Sequence, residues 1–247
     1  MIKFIPFPKV RNFNETVEDL IFEERFIGLS DKGEPQYDNE KKLPSLHALG
    51  HAQLNGKQVA VGFFGDEIWF QNKDEIITLE NDSYGFVDAM LREDRLEHLK
   101  KVNQVQREDN GIDDDCAIIL YGEWCGEDIT LPEFAISALP KMLVIFAIRC
   151  VNMKPKKYYS KFYEWLPLME VRNEYLNIHE SHDCDNYELY IDLENLEETI
   201  NEIQDEVKYV LEKCPFAKEF GVYGVGEGIV WTFEHMGKTH RIKSKGK

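Results

Sequence analysis

Hydrophobic and polar residues alternate most regularly between Leu46 and Phe70, where Val59, Val61 and Phe63 fall on one face and Gly65-Asp66 marks a turn. That period of two predicts antiparallel strands closing as a hairpin. Two denser apolar runs, Ala117-Ile118-Ile119-Leu120-Tyr121 and Met142-Leu143-Val144-Ile145-Phe146-Ala147-Ile148, are short and rich in branched residues, which predicts buried strands. Tyr187 to Leu193 alternates through Leu189 and Ile191 and predicts another. Helical spacing of Met90, Leu91, Leu96 and Leu99 predicts a helix over 86–102. Leu196, Ile200, Ile203, Val207, Val210 and Leu211 predict a second, opened by an Asn195 and Glu198 capping box and ended near Cys214-Pro215. Val17, Leu20, Ile21 and Phe22 form a short ambiguous pattern before a polar loop at Ser30 to Pro35. Strands and helices mix without a βαβ rhythm, so the expected class is α+β in preference to a doubly wound parallel sheet.

Composition adds scale. With 247 residues, 43% hydrophobic and 12% aromatic, the chain can bury a sizeable core as one large domain or two small ones, and one compact unit over 1–247 is expected. No apolar run reaches the roughly 20 residues of a membrane span. The start, Met1-Ile2-Lys3-Phe4-Ile5-Pro6, is too short and broken for a signal peptide, so no membrane association and a cytoplasmic location are expected. Five widely spaced cysteines, Cys116, Cys125, Cys150, Cys184 and Cys214, suggest reduced thiols.

Charge narrows the partners. Twenty-nine basic against 46 acidic residues give a formal charge of −17, which argues against coating nucleic acid through a broad basic surface. Lys238, His240, Arg241, Lys243, Lys245 and Lys247 nevertheless crowd one place, either a solvated basic tail or a concentrated phosphate site.

Chemistry concentrates in the same region. Lys243 and Lys245, two apart, point the same way on a strand and can grip one phosphate group. Glu227 lies between Gly226 and Gly228, where missing side chains let a ligand approach the carboxylate; a plain turn before the Ile229-Val230-Trp231 strand is the alternative. Glu123, at the end of an apolar strand and before Trp124, repeats the arrangement.

Gly122-Glu123-Trp124-Cys125-Gly126, Gly226-Glu227-Gly228-Ile229-Val230-Trp231 and Lys243-Ser244-Lys245, in that order, resemble the later motifs of covalent nucleotidyltransferases. The likeness is greatest to ATP-dependent RNA ligases of the phage and RNA-editing branch. It extends to Leu43-Pro44-Ser45-Leu46 and to Ile76 to Asp82, and so spans nearly the whole chain. The resemblance implies a nucleotidyltransferase (adenylation) domain of antiparallel sheets flanked by helices, with a nucleotide pocket between sheets. It implies that Glu123 contacts the ribose, Phe146 stacks on adenine, Glu227 lies near the α-phosphate and metal, and Lys243 and Lys245 bind that phosphate. ATP and Mg²⁺ or Mn²⁺ are the implied cofactors. RNA or nicked nucleic-acid ends and ATP or AMP are the implied partners, in sealing a 5′-phosphate to a 3′-hydroxyl during RNA repair. A further nucleic-acid-binding domain of the kind such ligases carry is expected to lie outside this chain.

The first motif departs. Members read Lys-x-(His or Asp)-Gly, whereas this chain aligns Gln53-Leu54-Asn55-Gly56. The delocalised amide of Gln53 is no nucleophile at neutral pH, so self-adenylation at this position is expected to fail. Asn55 replaces His, Gln58 replaces Asn, and Lys73 replaces an Arg that contacts the nucleotide, losing the bidentate fork. Several departures in one pocket favour natural divergence over a single engineered change. Two alternatives stay open: Lys57 as a substitute nucleophile, and a non-catalytic pseudoligase that binds nucleotide or RNA ends.

Other features have plainer readings. His179-Glu180-Ser181-His182-Asp183-Cys184-Asp185 has metal-binding composition but no standard spacing, and a polar surface loop is expected. Asp113-Asp114-Asp115 is expected to be a solvated loop. A structural role is expected for at least one of His47 and His51. Trp69-Phe70 and the Tyr158, Tyr159, Phe162, Tyr163 and Trp165 group are expected to be core or interface aromatics.

Overall fold

A computed structural model describes residues 4–154, 165–182, 184 and 186–245. The chain gathers into two compact units: a first of Met1–Phe7 with Leu54–Asp183, and a second of Pro8–Gln53 with Cys184–Lys247. Composition allowed one or two, and one was expected. The apolar residues divide instead into separate cores, because β-pairing joins residues 8–53 to residues 184–247 and leaves 54–183 as its own unit.

Residues 8–53 form β1 (Arg11–Asn12), α1 (Phe13–Arg25), β2 (Phe26–Leu29), β3 (Pro35–Tyr37) and β4 (Ser45–Gln53). Residues 54–183 add β5 (Lys57–Phe64), β6 (Glu67–Asn72), β7 (Ile76–Ile77), α2 (Phe86–Met90), α3 (Glu93–Asn110), β8 (Cys116–Cys125), β9 (Met142–Asn152), β10 (Trp165–Leu166) and β11 (Ile178–Glu180). The remainder holds β12 (Asn186–Asp192), α4 (Leu196–Glu212), α5 (Pro215–Glu219), β13 (Gly228–His235) and β14 (Lys238–Lys245).

The first unit is built on a sheet of order β10-β9-β8-β5-β6-β7, with β11 parallel to β9. The expected hairpin is β5–β6, turning at Gly65-Asp66, and Val59, Val61 and Phe63 pack on one face with Leu120, Leu99 and Val102. The opposite face carries Ala60, Trp69, Ile119, Tyr121 and Ala147 over Ile5. Gln71 holds Ile5 as a neighbouring strand would, accepting from its amide (3.2 Å) and donating to its carbonyl (2.6 Å).

The helix expected over 86–102 is two helices, and the second runs on to Asn110. The break at Leu91-Arg92 is tolerated because the Arg95 guanidinium reaches back to the Ala89 carbonyl at 3.4 Å, supplying a donor where the ladder stops.

The second unit is a five-stranded sheet, β1-β14-β13-β4-β12, with α1 and α4 on its buried face. On α4, Thr199, Ile203, Val207 and Val210 form the buried stripe. Each buried Ile or Val there stabilises the unit by about 1.5–3 kcal/mol relative to exposure. The expected capping box does not form: the Asn195 amide donates to the Glu198 carboxylate (2.8 Å), and no side chain caps the helix N–H groups.

The ambiguous segment is the 13-residue helix α1. Its buried side includes Thr16 and Glu24, which blurs the apolar period. Glu24 is held by Lys41 (2.7 Å) and His235 (3.1 Å). The polar loop after it turns between β2 and β3, where the Ser30 hydroxyl accepts from the Lys32 and Glu34 amides. All five cysteines are free thiols. Among the described residues, no helix is long and apolar enough to cross a membrane.

Candidate functional site

The predicted phosphate-handling residues Gln53, Glu227, Lys243 and Lys245 all fall in the second unit, at one end of one sheet face. Strand alternation places His47, Leu49, His51 and Gln53 of β4 outward, while Leu46, Ala48 and Ala52 enter the core. Register then aligns Gln53 with Gly228 on β13 and Gly228 with Lys245 on β14. One step along, His51, Val230 and Lys243 form a second row. Because glycine occupies the pairing position between them, no side chain separates Gln53 from Lys245. The supposed basic tail is thus an ordered strand; Lys247 lies outside the described residues.

The two glycines around Glu227 are set by close backbone approach. A Cβ on Gly226 would meet the Val210 carbonyl oxygen at 2.5 Å, and one on Gly228 would overlap that of Ser244. Gly226 also donates its amide to Val210 (3.1 Å). The intervening carboxylate is thereby fixed between the end of α4 and β14, where it pairs with the Lys245 ammonium. Below this row the Trp231 indole donates to the Ser244 hydroxyl at 2.7 Å, pinning β13 to β14. The Gln53 side-chain oxygen, Oε1, is shielded from water and, among the described residues, has no hydrogen-bond partner.

The predicted nucleoside-side residues fall in the first unit. Gln58 pairs with Glu123 across β5 and β8, so the two side chains share a face. Tyr121 pairs with Ala147 and Gly122 with Ile145, which leaves Phe146 as the extra residue of a β-bulge. Bulges re-aim side chains and are common beside active sites. Phe146 lies on the Gln58 and Glu123 face, edge-on to Phe7 at 5.1 Å. Phe7 is also edge-on to Tyr121 (5.2 Å) and Trp165 (5.7 Å). The Tyr121 hydroxyl donates to the Ile5 carbonyl at 2.8 Å, and burial pushes its pKa up to about 12, keeping it a neutral donor.

Gly56 lies against the Gly-Glu-Trp-Cys-Gly segment: a Cβ there would be 2.6 Å from the Trp124 carbonyl oxygen and 2.9 Å from Glu123 Cγ. Asn55 is engaged within the unit, its carbonyl accepting from Thr130 (2.6 Å) and its side-chain oxygen from the Leu131 amide (3.1 Å). Lys73 lies in the exposed bend after β6, one residue beyond the Val59–Asn72 pair and so at the same sheet end as Gln58. Lys57 pairs with Trp124, on the other face from Gln58, and its ammonium sits 4.7 Å from the Tyr84 ring centroid.

The other polar clusters resolve differently. His179 lies on β11 and is buried, as is Ser181, so this part of the segment is interior strand and turn and not surface loop. Asp183 and Asp185 lie outside the described residues, as do Tyr158, Tyr159, Phe162 and Tyr163. Among the described residues, no group of three or more His, Cys, Asp or Glu could hold a metal ion. His47 and His51 share an outward strand face. Asp115 pairs with Lys154 at 2.7 Å.

Sequence reasoning did not single out Phe7 or Tyr190 and expected a structural role for at least one of His47 and His51. His51 carried a signal, standing two residues from Gln53 on the same alternation. Phe7 carried none, because its partners lie over a hundred residues away.

No protein-family model and no curated protein matches the chain. Solved structures do. A Naegleria gruberi RNA ligase variant with ATP and Mn superposes at TM-score 0.56 with 14% identity, covering 99% of this chain and 56% of that one. A second variant with ATP and Mn gives 0.53 at 15% identity, with 99% and 57% covered. A third, with AMP and Mn, gives 0.52 at 15% identity, with 97% and 56% covered. At this identity the likeness is one of fold. The chain spans 56–57% of the length of those ligases.

Proposed function

We propose that this chain is an ATP-dependent RNA ligase-like nucleotidyltransferase that binds ATP or AMP and seals a pre-adenylated 5′-phosphate to a 3′-hydroxyl, without adenylating itself at position 53. The observation that carries the reading is the row Gln53, Gly228, Lys245 with Lys243 beside it and Glu227 paired to Lys245. Residues tens to hundreds of positions apart, expected from their motifs to meet one phosphate, fall at one end of one sheet face. The face of Gln58, Glu123 and bulged Phe146 supplies, on the same reading, the ribose and adenine contacts.

The orphaned Gln53 oxygen supports a ligand at this position. A buried acceptor left unsatisfied costs about 1–3 kcal/mol, which a bound hydroxyl would offset. In the sealing step the 3′-hydroxyl oxygen attacks the adenylated 5′-phosphorus and releases its proton to solvent, the new phosphodiester forms, and AMP departs with the electrons of the broken phosphoanhydride bond. Lys243 and Lys245 are suited to the charge that grows on the phosphate oxygens. A divalent ion, such as the Mn present with ATP in the solved ligases, would find one carboxylate among the described residues of this row, Glu227. That suits an ion held chiefly by phosphate oxygens and water. Lys57 is a poor substitute nucleophile on this reading, since it projects from the opposite face to Gln58 and Glu123.

The pseudoligase reading draws on a different observation, the Asn55 side-chain oxygen committed to Leu131. Two incubations separate the readings. With labelled ATP and Mg²⁺ or Mn²⁺ the protein should form no covalent adduct, and Gln53→Lys should form one. With a pre-adenylated nicked RNA duplex it should release AMP and join the strands. ATP binding without joining would assign the pseudoligase; neither binding nor joining would remove both.

A further inference from the structure

The outer face of the five-stranded sheet continues well past the phosphate row, and its composition there is unusual for a solvated surface. His47 on β4 stacks on Tyr190 of β12, with ring centroids 5.0 Å apart and planes 30° apart. Leu49, next on that face, is 52% exposed, and Tyr190 is 62% exposed. Beyond Leu49, β13 contributes Thr232 and Val230, with Glu234 outward at the His47 end where the Thr239 hydroxyl donates to it, and β14 then carries Arg241 and Lys243 at alternating outward positions. The result is a shallow trough. A stacked aromatic pair forms one wall, small and apolar residues the floor, and cations the other wall. It is three strand spacings, about 14 Å, across and runs about 20 Å along β4 from Gln53 to His47.

We propose that this trough holds a single-stranded RNA segment leading to the sealed end, with a base on the Tyr190–His47 platform and phosphates toward Arg241 and Lys243. The proposal rests on the ligase-like reading of the Gln53 and Lys245 row, which the trough extends. Flat apolar rings alternating with anionic groups match an apolar floor at Leu49 and an aromatic wall at Tyr190 facing cations, the usual way proteins hold a strand without reading its sequence. In a chain of net charge −17, an outward run of Arg241, Lys243 and Lys245 marks where a polyanion is tolerated. Asn186 and Glu188, outward on β12 beside His51 and Leu49, offer partners to a 2′-hydroxyl, which favours RNA over DNA. Glu188 lies 3.7 Å from His47 and opposes phosphate, so it tunes the site downward.

The test uses the intact chain, a short fluorescein-labelled single-stranded oligouridylate read by anisotropy, and ATP binding by calorimetry on the same samples. Tyr190→Ala should weaken RNA binding at least about 5-fold, the lower end for a base on an aromatic platform, with ATP affinity unchanged. Glu188→Gln should tighten it. Unchanged RNA affinity in both variants, with ATP still bound by the parent, overturns the trough and leaves the nucleotide reading standing. Failure of the parent to bind ATP, with RNA binding still dependent on Tyr190, overturns the nucleotide reading and keeps the trough. Equal affinity for the matching oligodeoxynucleotide overturns the assignment to RNA.

Discussion

A methyl group added at Gly56 would sit 2.6 Å from the Trp124 carbonyl oxygen, 2.8 Å from Cys125 Cβ and 2.9 Å from Glu123 Cγ. Ordinary carbon to oxygen contact begins near about 3.3 Å, so Gly56→Ala requires roughly 0.7 Å of movement between this turn and β8. The nearest obstacle is backbone and cannot rotate away. Overpacking of this kind costs about 1–3 kcal/mol, and the upper half is expected because three neighbours are crowded at once. The same displacement moves Glu123, which the nucleotide reading places on the ribose, so ATP affinity should fall about tenfold, equivalent to ~1.4 kcal/mol. Gly65→Ala separates the two effects. Its turn has φ +56° and open space around the added carbon. It should cost about 1–2 kcal/mol through left-handed backbone and leave ATP affinity alone. Urea unfolding and calorimetric titration measure both quantities. A Gly56→Ala protein with stability within about 0.5 kcal/mol of the parent and parental ATP affinity would refute the reasoning.

Two further outcomes follow from side chains partly or wholly withdrawn from water. Desolvation, with His235 nearby, holds the His240 pKa below its ordinary 6.5. The unfolded chain therefore binds the proton first, and this residue's contribution is present above pH 6.5 and lost as pH falls below it. His240→Gln should flatten the stability loss on acidification from pH 6.5, measured by urea unfolding across pH, and an unchanged slope would contradict the assignment. Tyr121→Phe removes one of two hydrogen bonds to the Ile5 carbonyl, which keeps the one from Gln71, and should cost about 1 kcal/mol. Faster amide exchange of Phe7 should accompany it; unaltered exchange would mean that Gln71 alone secures this segment.

Much of the fold was legible where neighbours in sequence are neighbours in space. The β5–β6 hairpin announced itself through Val59, Val61, Phe63 and the Gly65-Asp66 turn, and α4 through a stripe running from Ile203 to Val210. The α1 helix did not, because Glu24 occupies its buried side and is met there by Lys41 from the loop before β4 and by His235 from β13. The break before α3 depends on Arg95 reaching the Ala89 carbonyl, a side-chain geometry that no periodicity encodes. In the candidate site, spacing foretold that Lys243 and Lys245 would face one way. That Gln53 would stand in register with Gly228 and Lys245 depended on strand pairing across the length of the chain. The glycines at 226 and 228 were legible as permissive positions, yet the obstacles that demand them, Val210 and Ser244, were not.

The pairing of β4 with β12 and β13 also dictates an order of assembly. About 130 residues separate the ends of β4 and β12, and closing a loop of that length costs roughly 4 kcal/mol of chain entropy before any of its contacts forms. Residues 54–183 close their main sheet through far shorter loops, so most of the first unit can form while β4 still waits for its partners. On a chain made from the amino end, the face bearing Glu123 and Phe146 is completed early, whereas the row bearing Gln53 and Lys245 requires β14 to have emerged. Until then β4 exposes both backbone edges and its apolar residues, which makes it the segment most prone to mispair.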